Sequence, residues 1–128
     1  MKKIVCHGDS LTEAPDLAIN YTWPILVERR LNLKTINSGI GGDTSGGLLG
    51  RFYADVVRHQ PDLVVILGGT NDLWWDLEVN QIQANIFAMA CQAQFHTRTD
   101  PDGGDIRLGE TVFYMLDFIK DNQGEGTF

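Results

Sequence analysis

Residues 4–12 read Ile-Val-Cys-His-Gly-Asp-Ser-Leu-Thr, a short apolar run ending in a Gly-Asp-Ser turn. A strand ending that way delivers Ser10 to the rim of a sheet. There its hydroxyl can act as a nucleophile if a base takes its proton and donors hold the oxyanion. Gly-Asp-Ser also caps helices, so Ser10 alone fits a turn as well as it fits chemistry. Two further loops supply what the chemistry would need. Gly39-Ile40-Gly41-Gly42-Asp43-Thr44 lets bare backbone N–H groups approach a ligand, where a side chain would obstruct them. Gly68-Gly69-Thr70-Asn71-Asp72 offers the Asn71 amide as a donor to developing negative charge. Taken singly, the glycines are a tight connection and Asn71 is a turn residue. Together with Ser10 they form the donor half of an acyl-transfer site.

The elements around these loops decide whether they converge. The sequence predicts a strand over Lys3 to Cys6. A helix follows over Tyr21 to Leu31, with Trp23, Leu26, Val27 and Leu31 at helical spacing and Pro24 in its first turn. Thr35 to Asn37 is a second strand, and Ser38 to Gly47 a Gly-rich loop. Leu48, Leu49, Phe52 and Val56 mark one face of a helix ending near His59, before Pro61. Leu63 to Leu67 is an unbroken apolar run, as expected of a parallel strand buried on both faces. A helix over Val79 to Ala93 turns Ile82, Ile86, Met89 and Ala93 one way. This β-α-β-α-β-α order implies a parallel sheet with right-handed crossovers, whose ligands bind outside the carboxyl ends of the strands. All three loops lie there. From Gln94 to Gly109 no strand is readable, and Glu110 to Asp121 reads as a last helix.

Composition narrows the function. The 128 residues suit a single domain, 43% hydrophobic and 21% charged. The net charge of −7, with only Lys2-Lys3 and Arg29-Arg30 as basic pairs, argues against nucleic acid. Cys6 and Cys91 are isolated; they read as reduced thiols, and their spacing suggests no zinc site. No run of about 18 apolar residues is present to span a membrane, and the expected location is the cytoplasm.

The three loops together resemble the blocks of the GDSL/SGNH hydrolase superfamily, close to its esterase- and lysophospholipase-like members. Gly8-Asp9-Ser10-Leu11 resembles the nucleophile block, Gly39 to Ser45 the glycine block, and Gly68 to Asp72 the asparagine block. The resemblance covers residues 1–93, with 94–128 divergent or shortened within a single domain of 1–128. It implies a flavodoxin-like three-layer α/β fold with a parallel sheet, and hydrolysis of small carboxylic esters through an acyl-enzyme on Ser10. It also implies an oxyanion hole of Gly42, Asn71 and the Ser10 N–H, loops braced by Asp9 and Asp43, and neither metal nor organic cofactor.

The family's fourth block, an Asp and a His three residues apart, has no counterpart. The histidines are His7, His59 and His96, preceded at that spacing by Ile4, Val56 and Ala93. The segment Asp105 to Glu110 has Arg107 where a His is expected, and arginine stays protonated. By chain order His96 is the candidate base, with a solvated loop histidine as the bland alternative. His7 is expected to pack under its loop, and His59 to favour a helix C-terminus. Trp74-Trp75 fits an acyl pocket wall or a plug over a sheet edge. About five strands are usual in such a sheet and three are readable, so the fold is incomplete in one chain. Two expectations follow: a homo-oligomer that completes the fold, by segment exchange or by lending a base, or a scaffold that binds without hydrolysing.

Overall fold

The computed structural model describes residues 2–97. Three strands, β1 (Lys3–Gly8), β2 (Lys34–Gly39) and β3 (Leu63–Leu67), form one parallel sheet in the order β2-β1-β3. Gly8 of β1 lies opposite Gly39 and Leu67, so the three strands end level on one rim. The helices are α1 (Ser10–Glu13), α2 (Trp23–Leu31), α3 (Ser45–Gly50), α4 (Phe52–Asp55), α5 (Thr70–Trp74) and α6 (Val79–Thr97).

Val5 of β1 and Val64 and Ile66 of β3 point to one face, where they pack with Leu48, Phe52, Val56, Ile82, Ile86, Met89 and Ala93. The apolar stripes expected of the second and third helices thus meet the sheet. Ile4 and Cys6 alternate to the opposite face and are buried there. Burial also pushes the Cys6 thiol up to about 12, in keeping with an inert core residue. The expected three-strand α/β order therefore stands.

Several local expectations are corrected. The helix expected over residues 48–59 is three pieces: α3, α4 and a 3₁₀ turn at Val57–His59. Arg51 ends one piece with φ −104° and ψ 6°, and Val56 ends the next with φ −121° and ψ −65°. The helix expected from Tyr21 begins at Trp23, with Tyr21 in a separate 3₁₀ turn. Leu26 and Leu31, expected on its inner face, are 49% and 61% exposed. Strand β3 is not buried on both faces: Val64 and Ile66 are buried, while Leu63, Val65 and Leu67 are half-covered. Short helices α1 and α5 occupy what read as loops after the first and third strands. The helix expected over Glu110 to Asp121 lies outside the described residues.

The two sheet edges differ. Lys34 and Ile40 donate their N–H groups to Lys2 and Gly8, so even-numbered residues of β2 face β1 and odd ones face outward. Two of those outward N–H groups are closed by side chains: Thr35 N–H donates to Glu28 at 2.7 Å, and Gly39 N–H to the Asn37 amide oxygen at 2.9 Å. On β3, Asp62 N–H donates to Lys3, which turns Leu63, Val65 and Leu67 outward. Among the described residues no side chain closes that second edge.

Candidate active site

Ser10 is the first residue of α1, exposed at the end of β1. Its N–H lies in the first helical turn and has no intrahelical acceptor. Asp9 caps the turn, accepting from Leu11 N–H at 2.9 Å, and burial raises its pKa above the ordinary carboxylate range. Asp9 therefore braces the loop, as expected.

The glycine loop lies alongside. A Cβ placed on Gly41 would stand 3.7 Å from Ser10 Cβ, which brings the second loop to the nucleophile. Gly42 has φ +79°, a left-handed conformation that glycine adopts without steric cost, and a Cβ there would meet nothing within 4 Å. At Gly39 the requirement is space: a Cβ would overlap the backbone of Glu13 in α1. The third loop joins through its side chain, Asn71 Nδ2 donating to the Asp43 carbonyl at 2.8 Å. An amide NH₂ carries two donors, so this bond leaves one for a ligand.

Ser10, Gly42 and Asn71 thus share one rim. Residues that sequence reasoning missed hold them there. Glu13 accepts from Gly41 N–H at 2.5 Å. Arg51 Nε donates to Asp43 at 2.7 Å, and Asp43 also accepts from Thr44 N–H at 3.0 Å. Buried Asp72 accepts from Ser45 N–H at 2.7 Å and from Ser45 Oγ at 2.5 Å, tying α5 to the start of α3. Asn85 of α6 donates to the same Ser45 hydroxyl at 2.9 Å. A sequence signal existed for Glu13, three residues after Ser10; the spacing of Arg51 and Asp55 at i+4 marks only a surface helix pair and not the bonds to the rim.

The histidines are placed elsewhere. His7 is buried under the rim, its ring edge-on to Phe52 at 5.4 Å between centroids. Its Nε2 lies 2.8 Å from the Leu48 carbonyl, which can only accept, so Nε2 carries the proton. Nδ1 therefore accepts from Ser38 Oγ at 3.0 Å. Burial lowers the His7 pKa to about 4, so the ring is neutral at pH 7. His59 is exposed, and its carbonyl accepts from Lys3 Nζ at 2.7 Å, beside the start of β1. His96 stands edge-on to Tyr53 and Phe95. It lies eleven residues beyond Asn85 on α6, about 16 Å along the axis from the contact with Ser45.

Trp74 and Trp75, just after Asn71, are 82% and 68% exposed and so plug nothing among the described residues. A cavity of about 270 Å³ opens on the outer side of β2, walled by Ile36 to Ile40, Arg51, Asp55 and His59. Ser10, Gly42 and Asn71 are not among its walls, so it is not the space in which a substrate would meet the serine. No group of three or more His, Cys, Asp or Glu residues able to hold a metal ion occurs among the described residues. No helix among them is long and apolar enough to cross a membrane.

The chain is similar to known proteins in sequence and in fold. The chain is 36% identical over 92 residues to esterase TesA of Pseudomonas aeruginosa, a match covering 68% of this chain and 46% of that protein. It is 37% identical over 76 residues to the arylesterase of Vibrio mimicus, covering 56% and 38% respectively. The chain therefore spans less than half the length of these relatives. Among solved structures, esterase EstA from Pseudoalteromonas sp., inhibited by monoethylphosphonate, superposes with a TM-score of 0.68 at 30% identity, over 75% of this chain and 55% of that one. A model of GDSL-like lipases and acylhydrolases matches residues 6–117. That match takes in all three loops and runs on past residue 93, and the chain belongs to the GDSL-like lipase/acylhydrolase family.

Proposed function

We propose that this chain carries the nucleophile and the oxyanion donors of a serine hydrolase acting on small carboxylic esters. The observation behind this reading is the meeting of three loops, with Gly41 against Ser10 and Asn71 bonded to Asp43 at 2.8 Å. In this reading Ser10 Oγ attacks the ester carbonyl while a base takes its proton. The oxyanion is met by the N–H groups of Ser10 and Gly42 and by the Asn71 amide. The base returns its proton to the departing alkoxide, and water then hydrolyses the acyl-enzyme. Esterase and arylesterase relatives, and a phosphonate-inhibited structural neighbour, fit the same substrate class.

His7 is committed to Leu48 and Ser38, and His59 belongs to the far end of the sheet. We assign the base to His96, offered from α6 to the Ser10 of a second copy rather than to its own. The homo-oligomer this requires, segment-exchanged or docked, is supported by a β3 edge that no side chain closes among the described residues. Two free thiols, Cys6 and Cys91, suit the reducing cytoplasm.

The test compares wild type with Ser10→Ala on p-nitrophenyl acetate, together with labelling by a fluorophosphonate. Hydrolysis and labelling by wild type alone are expected; equal rates would remove Ser10 from the mechanism. A second reading, a family scaffold that binds esters without turnover, is favoured by the lack of a histidine on the rim within one chain. It predicts a wild type that binds the ester yet takes no label.

A further inference from the structure

We propose that Arg51 is the positioning residue of the donor side, setting where the Gly42 N–H points; this rests on the reading of Ser10, Gly42 and Asn71 given above. Arg51 sits at the break between α3 and α4, with its side chain only 17% exposed. From there the guanidinium reaches four separate parts of the fold. Nε donates to Asp43 at 2.7 Å, in the residue next to Gly42. Nη2 donates to the Gly8 carbonyl at 2.9 Å, at the end of β1 and two residues before Ser10. Nη1 is shared between the Ser38 carbonyl at 3.0 Å and hydroxyl at 2.8 Å, at the end of β2, and Asp55 at 2.8 Å on α4.

These bonds fix the relative placement of nucleophile and oxyanion donor. Gly8 leads into Ser10, and Ser38 and Asp43 bracket the glycine loop. One rigid planar group thus spans the end of the nucleophile strand and both ends of the loop. Gly42 itself has no side chain and a left-handed φ, so nothing of its own restrains its N–H. The restraint comes from its neighbours: the turn closed by Asp43 N–H on the Ile40 carbonyl at 3.2 Å, Asp43 through Arg51 and Asn71, and Gly41 through Glu13.

The same group sets the state of His7. Ser38 Oγ accepts from Arg51 and donates to His7 Nδ1, and Nε2–H donates to Leu48. The chain Arg51–Ser38–His7–Leu48 runs in one direction because Arg51 has only donors and a carbonyl only accepts. Lysine cannot replace this: it is a single ammonium on a flexible stem, without a fork.

The test uses the full chain with Arg51→Lys, and Arg51→Gln as a second variant that keeps a planar donor should the lysine fail to fold. Arg58→Lys, an exposed arginine outside this network, is the control. The Gly42 amide resonance is expected to shift in the Arg51 variants and not in the control. For ester hydrolysis, kcat is expected to fall roughly ten- to a hundredfold with KM within about twofold, as suits a misplaced donor. An unmoved Gly42 amide in both Arg51 variants would overturn the proposal, whatever the rate. A shifted Gly42 amide in a protein whose wild type hydrolyses nothing would uphold the positioning while removing the hydrolase reading.

Discussion

Glu13, Arg51 and Asn71 each bond the loop that carries Gly42, and each comes from a different element. The histidines are spread out instead: one under the rim, one beside the start of β1, one far along α6. The donor side of the site is thus built from strand ends and the turns that follow them. Ser10, Gly42 and Asn71 and the residues that bond the glycine loop all fall before position 73, and Asn85 of α6 supports them from later in the chain. In the proposed mechanism the acceptor side depends on a residue delivered by some other segment, since triad logic needs only geometry and not sequence proximity. One half of such a site can therefore be complete without the other.

The largest effect should come from testing whether the acceptor is lent between copies. Ser10→Ala and His96→Ala should each lose at least three orders of magnitude in rate. Mixed in equal amounts and allowed to exchange, they should recover roughly a quarter of the wild-type rate. Half the dimers are then mixed, and each of these holds one complete site of two. Failure to recover, with exchange verified, would remove His96 as a base supplied in trans and leave the acceptor side empty.

The donor side should yield next. Asn71→Ala removes the proposed oxyanion donor and is expected to cost about 10²–10³ in kcat. It also frees the Asp43 carbonyl, so the Gly42 amide resonance should move as well. A loss confined to KM would mean that Asn71 only binds substrate.

His7 provides the contrast in stability, because it is a histidine used as structure. Its folded pKa of about 4 lies below the ordinary 6.5. Between these values the unfolded chain binds a proton that the native protein does not. Stability therefore falls as pH drops from about 6.5 to about 4, and this contribution levels off below. At 1.36 kcal/mol per unit the change approaches about 3 kcal/mol. Urea unfolding across that window in wild type and His7→Gln should show the slope in wild type only. Equal slopes would mean that other groups carry the pH dependence.

Much of this was legible in the chain. The apolar run Leu63 to Leu67 is β3 to the residue, because an unbroken run between Pro61-Asp62 and Gly68-Gly69 has no competing helical reading. Ser10, the glycine loop and Asn71 stand out because glycines and turn residues after strands mark close backbone approach, while the choice of Gly42 within that loop comes from the resemblance to the GDSL/SGNH blocks. Arg51 does not, since a charge between Leu48 and Phe52 reads as the solvated side of a helix. Its role arises only where the ends of β1 and β2 meet the break between α3 and α4. Leu26 and Leu31 failed for the converse reason: spacing marks an apolar face but not whether another element covers it.

The smallest expected effect separates the two sheet edges, which repeat the contrast between the halves of the site. The β2 edge, on the side of the glycine loop, is closed by Glu28, whose carboxylate accepts from both the N–H and the hydroxyl of Thr35 at 2.7 and 3.0 Å. Those two bonds hold the Glu28 pKa below the ordinary carboxylate value. A depressed folded pKa means that the contribution is present above the ordinary value and lost as pH falls through the folded one. Glu28→Ala should lower the melting temperature slightly at neutral pH and leave it nearly unchanged at strongly acidic pH. The rate should hold, because Thr35 lies at the opposite end of β2 from Gly39. Opening this edge should also add a second route to strand pairing, seen as a rise in mass by light scattering above that of wild type. If mass does not change, strand pairing at the sheet edges is not limited by Glu28, and the difference between the edges has to be sought in the apolar row of Leu63, Val65 and Leu67.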